Sequence, residues 1–403
     1  MNTKSNIRCA KTLSGIVRSI VRVFSLGKHF KVAGVVLFLI GLLVPAPGFS
    51  HVIDGVPDVG QDVGASPTPV FHAYLSRGID LIFNERYEES LSIFDRVQKM
   101  YPGHPAPYFF KAASYQDWMS NYRNKRFMKE LEQNIRLAIE TGNALLEGRD
   151  DPWAYFYIGA AYGYRAFNRF RENDWIGAYV AGRKGIEKLK EALEKDPNIY
   201  DAYLGLGSYN YWRTAKSKFL RIIAFWMKDK RELGLRQIEF SVKYGLYARN
   251  QASYNLMAAY YDYGRYEKAS EVLEGIIERK ERPSISDLYY RGRLFIKFER
   301  WSEAESIFKK LLERLDGQPF TSVGYQVECK YWIAEALKSQ NRFSAAFSWT
   351  KKAMAQREER SSRRELEGPF ESFDDIKRSL EKLHKELNKA LDHAFVADVT
   401  SSP

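Results

Sequence analysis

Cysteine is almost missing from this sequence: Cys9 and Cys329 are the only two in 403 residues. Such a pair builds neither a disulfide framework nor a thiolate cluster, so the core must be held by packing. Cys329 then reads as a small apolar residue on a helix. Histidine is scarce too, with six in all, and His384 and His393 fall on opposite faces of a helix at their nine-residue spacing. The metalloprotease, phosphate-loop, nucleophile-elbow and dinucleotide motifs are absent. Gly182-Arg183-Lys184-Gly185 is too short for a phosphate loop, and the acidic pairs Glu88-Glu89 and Asp374-Asp375 are adjacent, so their side chains diverge. These gaps point away from an enzyme, and no cofactor or metal is expected.

Acidic residues are wholly absent from the first fifty positions, where Lys4, Arg8, Lys11, Arg18, Arg22, Lys28 and Lys31 supply seven positive charges. An apolar run at 32–44 follows, short of the roughly 20 residues that a membrane-spanning helix needs. A basic lead, a short apolar core and the small residues Gly48 and Ser50 before His51 follow the order of an export signal. Residues 1–50 are therefore expected to direct the chain to the periplasm or cell envelope, either cleaved before His51 or kept as an anchor through 32–44. No cysteine follows the run, so a lipoprotein is not expected. Residues 51–70, rich in Gly, Pro, Asp and Val, read as a flexible linker.

The formal net charge of +12 suggests nucleic acid until it is located. Beyond residue 50, 55 basic residues face 50 acidic ones, a balance of only +5. A chain whose strongest basic block is its own export signal is not expected to bind nucleic acid.

What the sequence does have is aromatic residues, 15% of the chain with 26 Tyr, and an internal repeat. From Phe71 a pattern of large, small and aromatic positions runs Tyr74, Gly78, Leu81, Ser90, Phe94, Val97 and Pro102, with Tyr87 between its two halves. The pattern returns from Asn250 (Leu256, Tyr260, Tyr266, Ala269, Leu273, Ile276) and from Ile285 (Leu288, Gly292, Phe295, Trp301, Ala304, Phe308, Leu311). It returns again from Val327 as Ile333, Ala334, Leu337, Phe343, Ala346 and Ala353. Small residues at two fixed positions let paired helices approach closely, and the large ones fill the space between pairs.

Over residues 71–356 this pattern resembles the tetratricopeptide-repeat family. The resemblance implies an all-α, right-handed solenoid of about seven helical hairpins. Three central repeats are longer than the family's 34 residues: Pro105 to Pro152 spans 47, Pro152 to Tyr200 spans 48 and Tyr200 to Asn250 spans 50. Their first helices still match through Tyr108, Ala112 and Tyr115, then Tyr155, Gly159 and Tyr162, then Tyr203 and Gly207. The extra residues are expected between the two helices of each hairpin, forming a crest along one edge. The stretch Lys230-Arg231-Glu232-Leu233-Gly234-Leu235 also resembles a group of tetratricopeptide proteins with a related motif after an apolar insertion. Residues 357–372 read as a charged linker. Residues 373–396, with Ile376, Leu380, Leu383, Leu387 and Ala390 at helical spacing, read as an amphipathic helix capping the array or offering a coiled-coil handle.

Two binding surfaces follow. In this family the concave face is lined by positions 2, 5, 9, 12 and 13 of each first helix. On this chain those positions include Phe109, Trp153, Phe156, Tyr164, Tyr211, Trp212, Tyr254, Tyr261 and Tyr289, a strip suited to an extended peptide or glycan; packing between repeats is the alternative. The crest segments 118–129, 164–184 and 212–231 carry +4, +3 and +6, which leaves the rest of the post-signal chain near −8. Arg123, Lys125, Arg126, Arg165, Arg169, Arg171, Lys216, Lys218, Arg221 and Lys228 are the candidate contacts there. The apolar run from Phe219 to Met227 either joins them at an anionic membrane or packs on the neighbouring hairpin. The expected function is a non-catalytic scaffold of the bacterial cell envelope that binds a protein or peptide in its groove. The alternative is a peripheral envelope-assembly factor whose crest meets anionic lipid or polyanionic glycan.

Overall fold

The computed structural model describes residues 69–215, 229–318 and 320–401, without the side chains of 213–215 and 393–401. The expectations for residues 1–50, for most of 51–70, for Lys216, Lys218, Arg221 and Lys228 and for the apolar run from Phe219 to Met227 lie outside these residues. Among the described residues there are fifteen α-helices and no strand, only an isolated bridge between Asn124 and Glu365. The first four hairpins pair α1 (Pro69–Phe83) with α2 (Tyr87–Met100), α3 (Pro105–Tyr122) with α4 (Met128–Gly148), α5 (Pro152–Arg171) with α6 (Trp175–Lys195), and α7 (Ala202–Ala215) with α8 (Arg231–Tyr244). The last three pair α9 (Arg249–Asp262) with α10 (Tyr266–Glu278), α11 (Ile285–Lys297) with α12 (Trp301–Asp316), and α13 (Val323–Ser339) with α14 (Phe343–Gln356). A final helix, α15 (Phe373–Ser401), follows.

Five of the hairpins turn by the same local device. One residue enters the left-handed region and the next amide reaches back five residues to close the turn. Glu85, Asn173, Gly264, Glu299 and Asn341 have φ between 56° and 79°. Directly after them, Arg86, Asp174, Arg265, Arg300 and Arg342 donate their amides to the carbonyls of Leu81, Arg169, Tyr260, Phe295 and Leu337 at 2.8–3.0 Å. An aromatic residue then opens the second helix: Tyr87, Trp175, Tyr266, Trp301 or Phe343.

Where paired helices cross, the side chains shrink to hydrogen. A Cβ on Gly159 would stand 2.9 Å from the Gly185 carbonyl oxygen, and one on Gly207 would stand 2.7 Å from that of Gly234. The space beside these contacts takes large residues, so Phe94 and Phe308 fill the room left by Gly78 and Gly292. The fold is therefore the tetratricopeptide arrangement that the resemblance implied.

In the second and third hairpins the extra residues lengthen the helices instead of forming a loop. Helices α3 to α6 have 18 to 21 residues, against 13 to 17 in α9 to α14. The stretch 357–372, read above as a linker, is packed between the second and the seventh hairpins. Lys125 donates its amide to the Arg364 carbonyl (2.8 Å) and Leu366 donates to that of Arg123 (2.9 Å). Glu365 Oε2 accepts from Ser322 Oγ and from the Gly324 amide at the N-terminus of α13 (2.7 and 2.8 Å). Beyond it, Ile376, Leu380, Leu383 and Leu387 of α15 are buried with α13 and α14, while Ala390 is exposed.

The first hairpin also reaches far along the chain. Asn84 Oδ1 accepts from the Glu281 amide (3.2 Å), Glu85 accepts from the Ile285 amide (3.1 Å), and Arg314 pairs with Glu85 at 2.8 Å. His72 stacks on Tyr247, with ring centres 5.8 Å apart. The array thus coils tightly enough for its beginning to meet its fifth and sixth hairpins.

Candidate binding surfaces

The inner residues of the first helices converge on this closed axis. Phe109 is buried and stacks on Tyr164 at 5.5 Å, with Phe156 edge-on at 6.2 Å. Trp153 is half-buried and meets Phe156 and Tyr247 edge-on at 5.3 and 5.4 Å. Tyr211 is wholly enclosed, its hydroxyl 2.8 Å from the Ala259 carbonyl and 2.9 Å from Asp262, with the half-buried Trp212 against its ring. Tyr254 donates to Asp287 (2.6 Å) and accepts from Lys280 (2.6 Å). Tyr261 and Tyr289 are buried as well. Of the aromatic strip expected to line an open groove, Phe109, Phe156, Tyr211, Tyr261 and Tyr289 are therefore core, and Trp153, Tyr164, Trp212 and Tyr254 are half-buried beside them. At this coiling the rings fill the axis and spend their surface on one another.

Residues 357–372, which form a strap across the array, supply the rest of the filling. Phe370 stacks on Tyr261 with ring centres 4.1 Å apart and lies 6.1 Å from Tyr289. Glu371 takes a two-pronged contact from Arg293 at 2.5 and 2.7 Å, the geometry in which an Arg–carboxylate pair is strongest. Arg293 also lies 5.0 Å from the Phe370 ring centre. A cavity of about 10 Å³ beside Arg123, Glu328, Gly368 and Glu371 has room for one water at most.

Arg123 shows most clearly how the crest differs from its expected form. It was expected at the surface, and instead it is buried, with 4% of its area exposed. Its guanidinium pairs with Glu328 at 2.5 Å and lies 3.6 Å above the Tyr325 ring. Burial opposes the charge on both partners, and their mutual attraction outweighs it, so Arg123 is raised and Glu328 lowered from their ordinary values. Tyr289 donates to Glu328 at 2.8 Å, which joins this pair to Arg293. Glu328, Arg293, Phe370 and Glu371 are absent from the sequence-level candidates. Arg293 and Glu328 do occupy positions 9 and 2 of their repeats, so a charge at an axis-facing position was the available signal.

A second polar cluster sits among α2, α3 and α11. Tyr87 and Asn121 both donate to Asp117 Oδ2 at 2.8 Å, and Lys280 pairs with Asp287, each almost fully buried, at 2.9 Å. Burial pushes the Asp117 carboxyl up to about 6, against the opposing pull of the Tyr87 hydrogen bond and of Lys280.

Of the remaining crest residues, Lys125 pairs with Glu172 (2.7 Å) and Arg126 stacks on Phe320 (3.3 Å). Arg165, Arg169 and Arg171 surround the tip of the α5–α6 hairpin. Arg165 is 3.9 Å from Glu132, Arg169 is 3.4 Å from Asp174, and Arg171 reaches Ser120 at 3.3 Å. Burial, and then the charge of Arg123, lower Arg171 to about 10.

No family model and no curated protein matches this chain. Several solved structures are similar to it at low identity. A crystal structure of the APC/C hetero-tetramer Cut9-Hcn1 has 13% identity and a TM-score of 0.44, over 70% of this chain and 46% of that one. PilW, described as a type IV pilus biogenesis factor, has 15% identity and a TM-score of 0.39, over 59% and 93%. A tetratricopeptide-repeat protein from Parabacteroides merdae has 12% identity and a TM-score of 0.35, over 78% and 98%. This chain thus spans about half the length of the first of these.

Proposed function

We propose that this tetratricopeptide-repeat chain is a non-catalytic docking scaffold of the cell envelope, and that it engages protein partners on its outer faces. The observation that carries this reading is the filled axis: Phe370 and Glu371 occupy Tyr261 and Arg293, where a groove ligand would lie. The basic lead and the short apolar run at 32–44 support the envelope location. Stacked hairpins present long outer surfaces at little cost in stability, since each repeat is held mainly by its neighbours.

Truncating Tyr211 or Tyr289 is a poor test, because both are enclosed and their loss would unfold the array. Site-specific photo-crosslinking in cells avoids that difficulty. Probes at exposed positions such as Leu246 or Phe343 are expected to capture a discrete partner, whereas probes at Tyr254 and Tyr261 should form only internal adducts. Partner adducts from the axial positions would return the function to the groove.

A further inference from the structure

We infer that the tip of the α5–α6 hairpin is a site for an anionic lipid surface, entered by Phe167, Phe170, Ile176 and Val180. These four are 48%, 36%, 63% and 47% exposed. They are four of the nine large apolar side chains exposed among the described residues, and they fall within fourteen positions. Scattered exposed apolar residues need no explanation, but a cluster on one hairpin end does. Phe167 and Phe170 are one helical turn apart on α5, and Ile176 and Val180 are one turn apart on α6. Gly163, a turn before Phe167, has open space where a Cβ would stand.

Charge complementarity selects the occupant. Residues 165–184 hold five basic residues and two acidic ones. Both acids are engaged: Glu172 pairs with Lys125, while Asp174 caps α6 at the Gly177 amide and meets Arg169. Arg169 and Arg183 pair with Asp174 and Glu187 at 3.4 and 3.2 Å yet keep 48% and 40% of their side chains exposed beside the apolar tip, and Lys184 is exposed there as well. An apolar tip ringed by cations matches the boundary between acyl chains and anionic headgroups. A protein partner for the same tip would need a negatively charged apolar socket. The inference is independent of the scaffold reading, because lipid entry and protein capture have separate readouts.

The full chain serves as the sample, with Cys9→Ser; Cys329 is buried and its thiol is pushed well up by burial, so it stays unlabelled. An environment-sensitive fluorophore is placed on Val180→Cys, and in a second protein on Glu194→Cys, about 21 Å along the same helix. A local probe reads the tip whether or not residues 32–44 tether the chain. With vesicles of phosphatidylglycerol and phosphatidylcholine the probe at 180 is expected to shift to the blue, and the probe at 194 to stay unchanged. High salt should reverse the shift. Phe167→Ser with Ile176→Ser should raise the lipid concentration for half-saturation about tenfold at unchanged circular dichroism.

Equal responses at 180 and 194, or an equal shift on pure phosphatidylcholine, would overturn the inference. So would a probe at 180 already blue in buffer and indifferent to vesicles, which would mean that protein covers the tip. A blue shift that grows with protein concentration alone would assign the tip to a second copy instead.

Discussion

Asp117 carries a raised pKa, and the sign of its effect on stability follows directly. Its carboxyl is protonated up to about pH 6 when folded and ordinarily only below the usual aspartate value of 3.8. Stability linked to this group is therefore present below pH 3.8 and is lost as pH rises through 6. Asp117→Asn keeps acceptors for Tyr87 and Asn121, so it is expected to stabilise the protein at pH 7.5 by roughly 1–3 kcal/mol and to remove that slope. Urea titrations at pH 5 and 7.5 measure both effects. His104 acts in the opposite sense: burial lowers it to about 4, and its neutral ring accepts the Ala106 amide at the start of α3. Its contribution is lost as pH falls from 6.5 towards 4. The left-handed turn residues offer a second test. Glu299→Gly should stabilise by about 1 kcal/mol through relief of backbone strain. Glu85→Gly relieves similar strain yet should destabilise by roughly 1–3 kcal/mol, because it strips acceptors from Ile285 and Arg314. Thermal unfolding distinguishes the two. None of these environments was legible from residue type. A carboxylate in Asp117's position reads as solvated until α11 is brought against it.

At the scale of the helices the close crossings dominate. Gly207→Ala places a methyl group against the Gly234 carbonyl and the backbone of α8, and is expected to cost about 2–3 kcal/mol. Gly275→Ala, inside α10 with open space around it, should instead stabilise by up to about 1 kcal/mol. Denaturant midpoints of the two variants form an internally controlled pair. This layer was the most readable in the sequence, because hairpin contacts are local and steric: Gly78, Gly159, Gly207 and Gly292 fall at one repeat position and are small for one reason. The mode of lengthening was less readable. An inserted loop and an extended helix pair have the same repeat length, and only Asn173 in the left-handed region shows where the third hairpin turns.

For the whole molecule, closure is the property that matters most, and it was hidden. Coiling accumulates from small rotations between successive hairpins, so no single repeat encodes it. The aromatic strip could be placed on the inner face without any sign that this face meets itself. The residues that seal it lie in a stretch whose charges looked solvated. Arg293 and Glu371 are expected to be strongly coupled: each single alanine variant should cost about 3–5 kcal/mol, and the double variant far less than their sum.

Hydrogen exchange across residues 360–372 tests the sealed axis most directly. With the strap in place, the Leu366 amide, held by the Arg123 carbonyl, and the Lys125 amide, held by that of Arg364, should exchange as slowly as the core helices. Exchange of this stretch at the rate of a free linker would contradict the closed array and reopen the groove as the binding site.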